Sequence, residues 1–149
     1  MKLSTKGRYG LRAMIDLADY SEQTPQSIAN IAQRQSISDS YLEQLMAKLK
    51  KAGLIESIRG AQGGYVLAKN SNEISVGDIL RALEGDLAPV KCGELDGHNG
   101  CSGSDCCVTK TVWKRINDSI QEAVDGIALS ELVEDNRKIR KESDIISNC

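Results

Sequence analysis

Apolar residues in the first fifty positions recur every three to four residues, the period of amphipathic helices. Ser4 is a suitable N-cap for a first helix, and the polar loop 21–25 separates it from a short second helix. A tight connection at 36–38 leads to a third helix over about 39–52. The three apolar stripes are Leu11, Met14, Ile15 and Ala18, then Ile28, Ile31 and Ala32, then Leu42, Leu45, Met46 and Leu49.

The third predicted helix has two candidate N-caps, Ser38 and Ser40, and Ser40 with Glu43 has the spacing of a capping box. Gly53 follows where a C-terminal stop belongs. The side opposite the apolar stripe carries Ser40, Tyr41, Glu43, Gln44, Lys48 and Lys51. Such groups can form hydrogen bonds or contact phosphate.

After Gly53 the apolar period changes to that of strands, and 54–58 and 65–67 predict a β-hairpin. The connecting residues 59–64 include three glycines. Glycine adopts backbone angles that other residues avoid, and it leaves the tip free of bulk. The hairpin tip can therefore approach another surface closely.

The remaining chain predicts three more helices around a long loop. Ser75 caps a helix that stops at Gly85, and the glycine-rich stretch 86–105 has no periodicity. A long helix up to Gly126 follows, and its stripe is Val108, Val112, Ile116, Ile120 and Val124, reinforced by Trp113 and Ala123. Such a helix either packs against a copy of itself or covers the core of its own domain. A last amphipathic helix runs from 129 to about 139.

The order helix, helix, turn, helix, glycine-tipped hairpin predicts a mainly α fold with a small β-hairpin wing, a winged helix-turn-helix. The third helix would enter the major groove, which accommodates an α-helix, and the wing would reach the adjacent minor groove. Arg59 at the wing base suits the negative potential of a narrow minor groove. Ser38, Ser40, Tyr41 and Gln44 would meet phosphates and base edges. The alternative is a small domain used for protein contact.

Composition supports one compact domain with an aliphatic core, because the 149 residues include 14 Leu, 14 Ile, 7 Val and no Phe. Residues 1–69 carry ten Lys and Arg against six Asp and Glu, whereas 70–149 carry nine against fifteen. A basic N-terminal half next to an acidic C-terminal half is the charge distribution expected of a protein that contacts a polyanion with its N-terminal half. No apolar run is long enough for a bilayer and none resembles a signal peptide, so we expect a soluble, cytoplasmic protein without membrane contact. No catalytic constellation stands out, so we expect no enzyme.

Cys92, Cys101, Cys106 and Cys107 lie close together in the long loop, which also holds the single histidine, His98. In a cytosolic protein this predicts a metal or redox site rather than structural disulfides. Thiolates select zinc or iron-sulfur clusters, and three cysteines with one histidine would also satisfy zinc. Free thiols with reversible oxidation remain an alternative, and Cys149 is predicted to be a free thiol.

Three segments, 3–10, 40–45 and 58–65, resemble the family of bacterial winged-helix regulators that includes the iron-sulfur cluster regulator IscR, the nitric-oxide sensor NsrR and the cysteine-metabolism repressor CymR. The resemblance covers nearly the whole chain and implies one family domain at about 2–132. It divides the chain into a DNA-binding region (1–85), with the helix-turn-helix at about 28–52 and the wing at about 54–68, a cluster-binding loop (86–107), and a dimerisation helix with a C-terminal helix (108–141).

The resemblance also implies a double-stranded DNA operator and a set of DNA-binding residues. These are Lys6, Tyr9, Ser38, Ser40, Tyr41, Glu43, Gln44, Arg59, Gly60, Gln62 and Gly63. In the IscR-like branch, the glutamate matching Glu43 disfavours some operator sequences unless the cluster reorients it. A carboxylate accepts a hydrogen bond from cytosine N4 but repels phosphate, so this role is chemically reasonable.

The IscR-like branch holds an iron-sulfur cluster with three cysteines before the long helix, and Cys92, Cys101 and Cys107 match them. Lys110 stands where well-known members have a ligating histidine, so the fourth ligand is open. It is His98, Cys106, Glu94 or a group from the other subunit. We favour a 2Fe-2S cluster, and a 4Fe-4S cluster is the alternative.

The function implied is a homodimeric, cluster-binding transcriptional regulator, a repressor of genes for iron-sulfur cluster assembly. The alternative is a CymR-like regulator of cysteine and sulfur metabolism that has no cluster and acts with a partner protein. A zinc-stabilised version is a third reading. A thiol oxidoreductase is disfavoured because Cys106 and Cys107 are adjacent and lack the Cys-x-x-Cys spacing.

Overall fold

The computed structural model describes residues 3–91, 103 and 106–147. Within these residues the chain forms six α-helices, one 3-10 helix and one two-stranded antiparallel sheet. In order they are α1 (Thr5–Tyr20), α2 (Ile28–Gln35), α3 (Asp39–Lys51), β1 (Ile55–Ile58), β2 (Gly64–Leu67), the 3-10 helix (Ser71–Glu73), α4 (Val76–Glu84), α5 (Thr109–Asp125) and α6 (Leu129–Ser147). The predicted order of helices and hairpin is confirmed, whereas the 3-10 helix was not predicted.

Four helices begin at a serine whose side chain accepts a hydrogen bond from the first helical turn. Ser4, Ser27, Ser38 and Ser75 cap α1, α2, α3 and α4 in this way. At α3 the structure selects Ser38, which has an extended backbone and accepts from the Tyr41 N–H. Ser40 already lies inside the helix, so the capping box predicted for Ser40 and Glu43 is wrong.

The core is aliphatic, as the composition predicts. Its large fully buried side chains are Met14, Leu17, Ile31, Leu42, Leu45, Met46, Leu49, Ile55, Ile74, Ile79 and Leu129. The predicted stripe of α3 is wholly buried. α1 lies at the centre and contacts α2, α3, α4 and α6, so the N-terminal helices and the C-terminal helix pack around one helix.

The wing is anchored to the body of the domain by a third extended segment. β1 and β2 pair antiparallel from Ile55–Leu67 to Ile58–Gly64, and Gln26 pairs with Tyr65 on the other edge of β2. The Tyr65 N–H donates to the Gln26 carbonyl at 2.8 Å, and the Gln26 N–H donates to the Tyr65 carbonyl at 3.0 Å. A Cβ at Gly64 would lie only 2.5 Å from the Gln26 carbonyl oxygen, so this close approach requires glycine.

α5 is only partly covered by its own domain. Ile120 and Val124 pack against a small cluster of Val76, Leu80 and Leu87. Val112 and Ile116 on the same stripe are 50% and 40% exposed, and no residue of α5 is buried. The C-terminal turns of α5 therefore cover the domain, which is one of the two predicted alternatives, and the earlier turns leave an apolar face uncovered. Packing of α5 against a second copy of itself stays a prediction.

α6 is longer than predicted, because it continues to Ser147 rather than ending near 139–141. Arg137 and Arg140 on this helix bind the buried carboxylate of Asp19 on α1. These ion pairs hold the charged part of α6 against the domain. The apolar period of the sequence does not extend over this part of the helix, so it did not predict the contact. Among the described helices, none is long and apolar enough to cross a membrane.

Candidate functional site

The N-terminal part of α3 presents polar side chains to solvent, directly after the turn that joins it to α2. Ser40, Glu43 and Gln44 are exposed, and the buried stripe of the helix lies on the other side. The Ser38 hydroxyl is already engaged as the N-cap. Ser40, Glu43 and Gln44 are therefore the α3 side chains most available for reading base edges.

Tyr41 and Tyr9 form an aromatic pair between α3 and α1. Their rings meet edge to face with centroids 6.2 Å apart, and the Tyr41 hydroxyl donates to the Thr5 hydroxyl oxygen at 3.2 Å. Both tyrosines are half-buried and pack against the core, so Tyr41 is less exposed than Ser40, Glu43 and Gln44, with which it was grouped. The Arg12 guanidinium lies 5.4 Å from the Tyr9 ring centroid. Arg12 was not among the candidate site residues predicted from the sequence. Its position one helical turn after the basic Arg8 was the only sequence feature that could have indicated it.

The tip of the wing is exposed and compact. Arg59, Gly60 and Gln62 are exposed, and the Gly63 N–H donates to the Gly60 carbonyl at 3.0 Å to close the tip. The prediction that Arg59 lies at the wing base is wrong, because β1 ends at Ile58 and Arg59 belongs to the connection between the two strands. Gly60 has φ +116°, a conformation that favours glycine. At the base of the wing the Lys50 ammonium donates to the Ser57 hydroxyl at 2.7 Å, which links the end of α3 to β1.

Basic side chains surround these elements. Lys6, Arg8, Arg12, Lys48, Lys50, Lys51 and Arg59 are all exposed. They come from α1, from the C-terminal half of α3 and from the wing. Positive charge on these three elements fits the phosphate backbone of a nucleic acid.

Cys106 and Cys107 lie exposed and as free thiols immediately before α5. The Cys107 sulfur is 3.0 Å from the Thr109 hydroxyl oxygen. This hydrogen bond, with the backbone N–H groups of Lys110 and Thr109, lowers the pKa of the Cys107 thiol. A lowered pKa favours the thiolate, which is the species that binds iron or zinc.

The other predicted ligands, Cys92, Glu94, His98 and Cys101, and also Cys149, lie outside the described residues. Among the described residues, no group of three His, Cys, Asp or Glu side chains is close enough to hold a metal ion. The donor chemistry at Cys107 nevertheless fits a thiolate-ligated iron-sulfur cluster.

A series of polar contacts connects α5 to the N-terminus of α1 through α4. Arg81 on α4 donates two hydrogen bonds of 2.8 Å to Asp125 and a further one to Gln121, both on α5. One turn later on α4, Glu84 accepts from the Ser4 hydroxyl and from the Ser4 and Gly7 N–H groups.

Both acids in this series are held in their charged form. The Ser4 hydroxyl, with the Gly7 N–H, keeps the pKa of Glu84 below its usual value, and Arg81 does the same for Asp125. Gly7 allows the close approach, since a Cβ there would lie 2.8 Å from the Glu84 oxygen. Sequence reasoning missed Arg81 and Glu84, because their partners are distant in the chain.

Three helices followed by an antiparallel hairpin, with polar side chains on α3 and an arginine at the hairpin tip, define a winged helix-turn-helix DNA-binding protein. The chain belongs to the Rrf2 family, described as iron-dependent transcriptional regulator, whose model matches residues 3–135. The protein is accordingly a transcriptional regulator and not an enzyme, as predicted.

Relatives and solved structures agree with this assignment. The HTH-type transcriptional regulator IscR of Pectobacterium carotovorum is 42% identical, over 97% of this chain and 89% of that protein. IscR of Aliivibrio salmonicida is 45% identical, over 91% of this chain and 79% of that protein.

Among solved structures, CymR, the global cysteine regulator of B. subtilis, matches with a TM-score of 0.74 and 43% identity, over 90% of this chain and 97% of that one. T. potens IscR matches with a TM-score of 0.72 and 46% identity, over 91% of this chain and 88% of that one. The predicted fold and the resemblance to IscR-like regulators are confirmed.

Proposed function

We propose that the protein is a homodimeric repressor that binds an iron-sulfur cluster and controls genes for cluster assembly. The observation that carries this proposal is the pair of exposed free thiols, Cys106 and Cys107, immediately before α5, together with the polar contacts that join the other end of α5 to α1 through α4. The relatives named IscR support the same reading. A regulator of chromosomal genes would work in the cytoplasm.

On DNA, α3 would lie in the major groove with Ser40, Glu43 and Gln44 directed at base edges, and Arg59 with Gly60, Gln62 and Gly63 would follow the adjacent minor groove. Lys6, Tyr9, Ser38 and Tyr41 would contact the phosphate backbone at the edge of α3. The exposed Glu43 carboxylate would discriminate between operators, because it accepts from cytosine N4 and is repelled by phosphate.

Cys92, Cys101 and Cys107 would hold the cluster, with His98, Cys106, Glu94 or a group of the partner subunit as the fourth ligand. When bound, a cluster, 2Fe-2S in our proposal, would supply a centre that responds to oxidants and to iron supply. The chain's own residues would carry the response. α5 is a continuous helix of 17 residues, so a shift at Cys107 would be transmitted to Asp125 and, through Arg81 and Glu84, to the N-terminus of α1.

The homodimer would form through the uncovered face of α5. Val112 and Ile116 are exposed on this face, and Ile116, Ile120 and Ala123 line a shallow apolar depression. A continuous apolar face on an otherwise charged surface marks an interaction site. A second α5 packed antiparallel would cover it and bring two DNA-binding regions into one molecule.

Anaerobic purification followed by an absorption spectrum and by iron and sulfide analysis tests the proposal. We expect a coloured protein whose affinity for a selected duplex changes when the cluster is removed with a chelator. A colourless preparation without iron or sulfide would contradict cluster binding, and identical affinities with and without the cluster would contradict sensing.

The second candidate is a cluster-free regulator of sulfur metabolism, and the superposition on CymR favours it. Such a regulator would respond through a partner protein, and its cysteines would need no metal. The same spectrum separates the two candidates, and zinc without iron in the metal analysis would identify the zinc-stabilised version.

A further inference from the structure

Asp16 is a buried carboxylate on α1. Its side chain is 1% exposed and is paired with Arg34, whose side chain is 27% exposed. Four N–H···O contacts surround its two oxygens: three from Arg34, at 2.6, 2.9 and 3.2 Å, and one from the Gln35 amide at 2.9 Å. Desolvation of such a pair offsets much of its attraction, so a buried ion pair is weak evidence for a stabilising role. Its contacts point instead to a role in geometry.

The first set of contacts leads to the wing. The Arg34 guanidinium that binds Asp16 also donates to the Gln26 side-chain oxygen at 2.9 Å and lies 4.0 Å from the Tyr20 ring centroid. The Gln26 amide donates to the Tyr20 and Thr24 carbonyls at 3.2 and 3.0 Å. The backbone of the same glutamine is the anchor of β2. The side-chain contacts of Asp16 therefore fix the segment on which the wing rests.

The second set leads to α3. Gln35 is the last residue of α2, and it is held by Asp16 on one side and by two hydrogen bonds from the Arg12 guanidinium on the other. Ser36, which follows, has φ +54° and makes the sharp turn toward α3. The position of Gln35 therefore sets where this turn begins.

We propose that Asp16 is a positioning residue for DNA recognition, which fixes the wing through Arg34 and Gln26 and the start of α3 through Gln35. The inference rests on the proposed function, because it assumes that α3 and the wing read DNA. A carboxylate that holds both elements sets their separation, and this separation must match that of adjacent grooves. Phosphate attraction by exposed lysines and arginines does not depend on it.

Asp16→Asn tests this with little change in volume. An amide replaces one acceptor oxygen by a donor, which then faces N–H groups of Arg34 or Gln35. Asp19→Asn is the matched control, because Asp19 lies one turn later on α1, is 5% exposed and also binds two arginines, but these arginines belong to α6. Arg34→Lys is a second variant that keeps the charge and cannot hold Asp16 and Gln26 together in the same way.

Two DNA probes are used. The first is a labelled duplex that the wild-type protein enriches from a random-sequence pool, and the second is bulk salmon-sperm DNA. Binding is measured well below the melting temperature of every variant. We expect Asp16→Asn and Arg34→Lys to bind the selected duplex about tenfold more weakly. Binding to bulk DNA, and both affinities of Asp19→Asn, should stay within about twofold. An unchanged affinity of Asp16→Asn and Arg34→Lys for the selected duplex, or an equal loss in Asp19→Asn, would overturn the inference.

A double-mutant cycle with Arg59→Ala measures how far the effects of the two substitutions on DNA affinity depend on each other. A loss of stability alone would not produce such a dependence. We expect Arg59→Ala to cost less affinity in the Asp16→Asn background than in the wild type, because the wing is already misplaced there. Strictly additive losses would overturn the wing half of the inference. If Arg59→Ala alone has no effect, the proposed wing contact fails, and the comparison of Asp16→Asn with Asp19→Asn still decides the inference.

Discussion

The Arg81 guanidinium donates two hydrogen bonds of 2.8 Å to the Asp125 carboxylate and thereby fastens α4 to the C-terminal end of α5. Gly77 makes room for this pair, since a side chain at that position would collide with the Asp125 carboxylate. On the same helix, Glu84 binds the first turn of α1. α4 therefore connects the helix that follows the cysteines to the helix that contacts α3.

We predict that Arg81→Ala separates cofactor binding from DNA binding. The variant should still bind a selected duplex, but the affinities of its cluster-loaded and cluster-free forms should become similar, because a typical coupling of about 1–3 kcal/mol is lost. Fluorescence anisotropy on both forms measures this. Asp118→Ala, which removes an exposed pair with Lys114 on α5, is the control and should retain the wild-type difference. An undiminished difference in Arg81→Ala would contradict the proposed route.

We predict that Glu84→Gln lowers the free energy of unfolding by about 1 kcal/mol at pH 7, because a charged acceptor at the start of α1 is lost. The pKa of Glu84 is lowered in the folded protein, so its stabilisation is present above the ordinary value of 4.5 and is lost as the pH falls through the folded value. The difference between wild type and variant should therefore shrink in acid. Thermal unfolding across this pH range measures it.

The exposed Glu134 on α6 supplies the matched substitution for this experiment, and Glu134→Gln should change stability little at any pH. A gap between wild type and Glu84→Gln that stays constant from neutral pH to acid would mean that the charge of Glu84 contributes nothing.

We predict that Arg59→Ala weakens binding to a selected duplex by about 1–3 kcal/mol, with the largest loss where the flanks are rich in A·T pairs. The reason is that a narrow minor groove attracts a guanidinium at the wing. Lys138→Ala on the distant α6 is the control for removal of one positive charge. An equal loss on all flanking sequences would indicate a plain phosphate contact instead.

We predict that replacing Cys92, Cys101 or Cys107 with Ala abolishes the visible colour and leaves the dimer folded, since these thiolates would hold the cluster. Cys149→Ala should change neither property. Absorption spectra and gel filtration check both statements. Replacing His98, Cys106 and Glu94 in turn should identify the fourth ligand, and full colour in a Cys107→Ala protein would contradict the proposed ligand set.

We predict that Ile116→Glu converts the proposed dimer into a monomer, because it places a charge in the centre of the exposed face of α5. Ile139→Glu on α6 is the control: Ile139 is even more exposed, at 61%, and lies outside that face. Sedimentation velocity measures both. A dimer that survives Ile116→Glu would place the subunit contact elsewhere.

Local chemistry made much of the fold predictable. Ser4 and Ser75 satisfy N–H groups within their own first turns, so their capping role can be read from neighbouring residues. The wing was predictable because glycines such as Gly60 mark a turn that other residues cannot make. The buried stripe of α3 followed directly from its period.

Contacts between distant residues escaped prediction. On α6, which is longer than predicted, Arg137 and Arg140 bind Asp19, more than a hundred residues earlier in the chain. Tyr41 is half-buried because it meets Tyr9 and Thr5 on another helix. Charge patterns do not reveal such partners, and nothing in the sequence singled out Asp16, whose contacts with Arg34 and Gln35 exist only in the folded protein.

Trp113 lies half-buried in the N-terminal half of α5, a short distance along the chain from Cys107, and it is the only tryptophan in the sequence. Its emission therefore reports on one place, between the thiols and the face proposed to join two protomers. An absorbing inorganic centre nearby would quench that light, and separation of the protomers would shift its wavelength. The unlabelled protein thus contains its own optical probe for following cofactor loading and assembly.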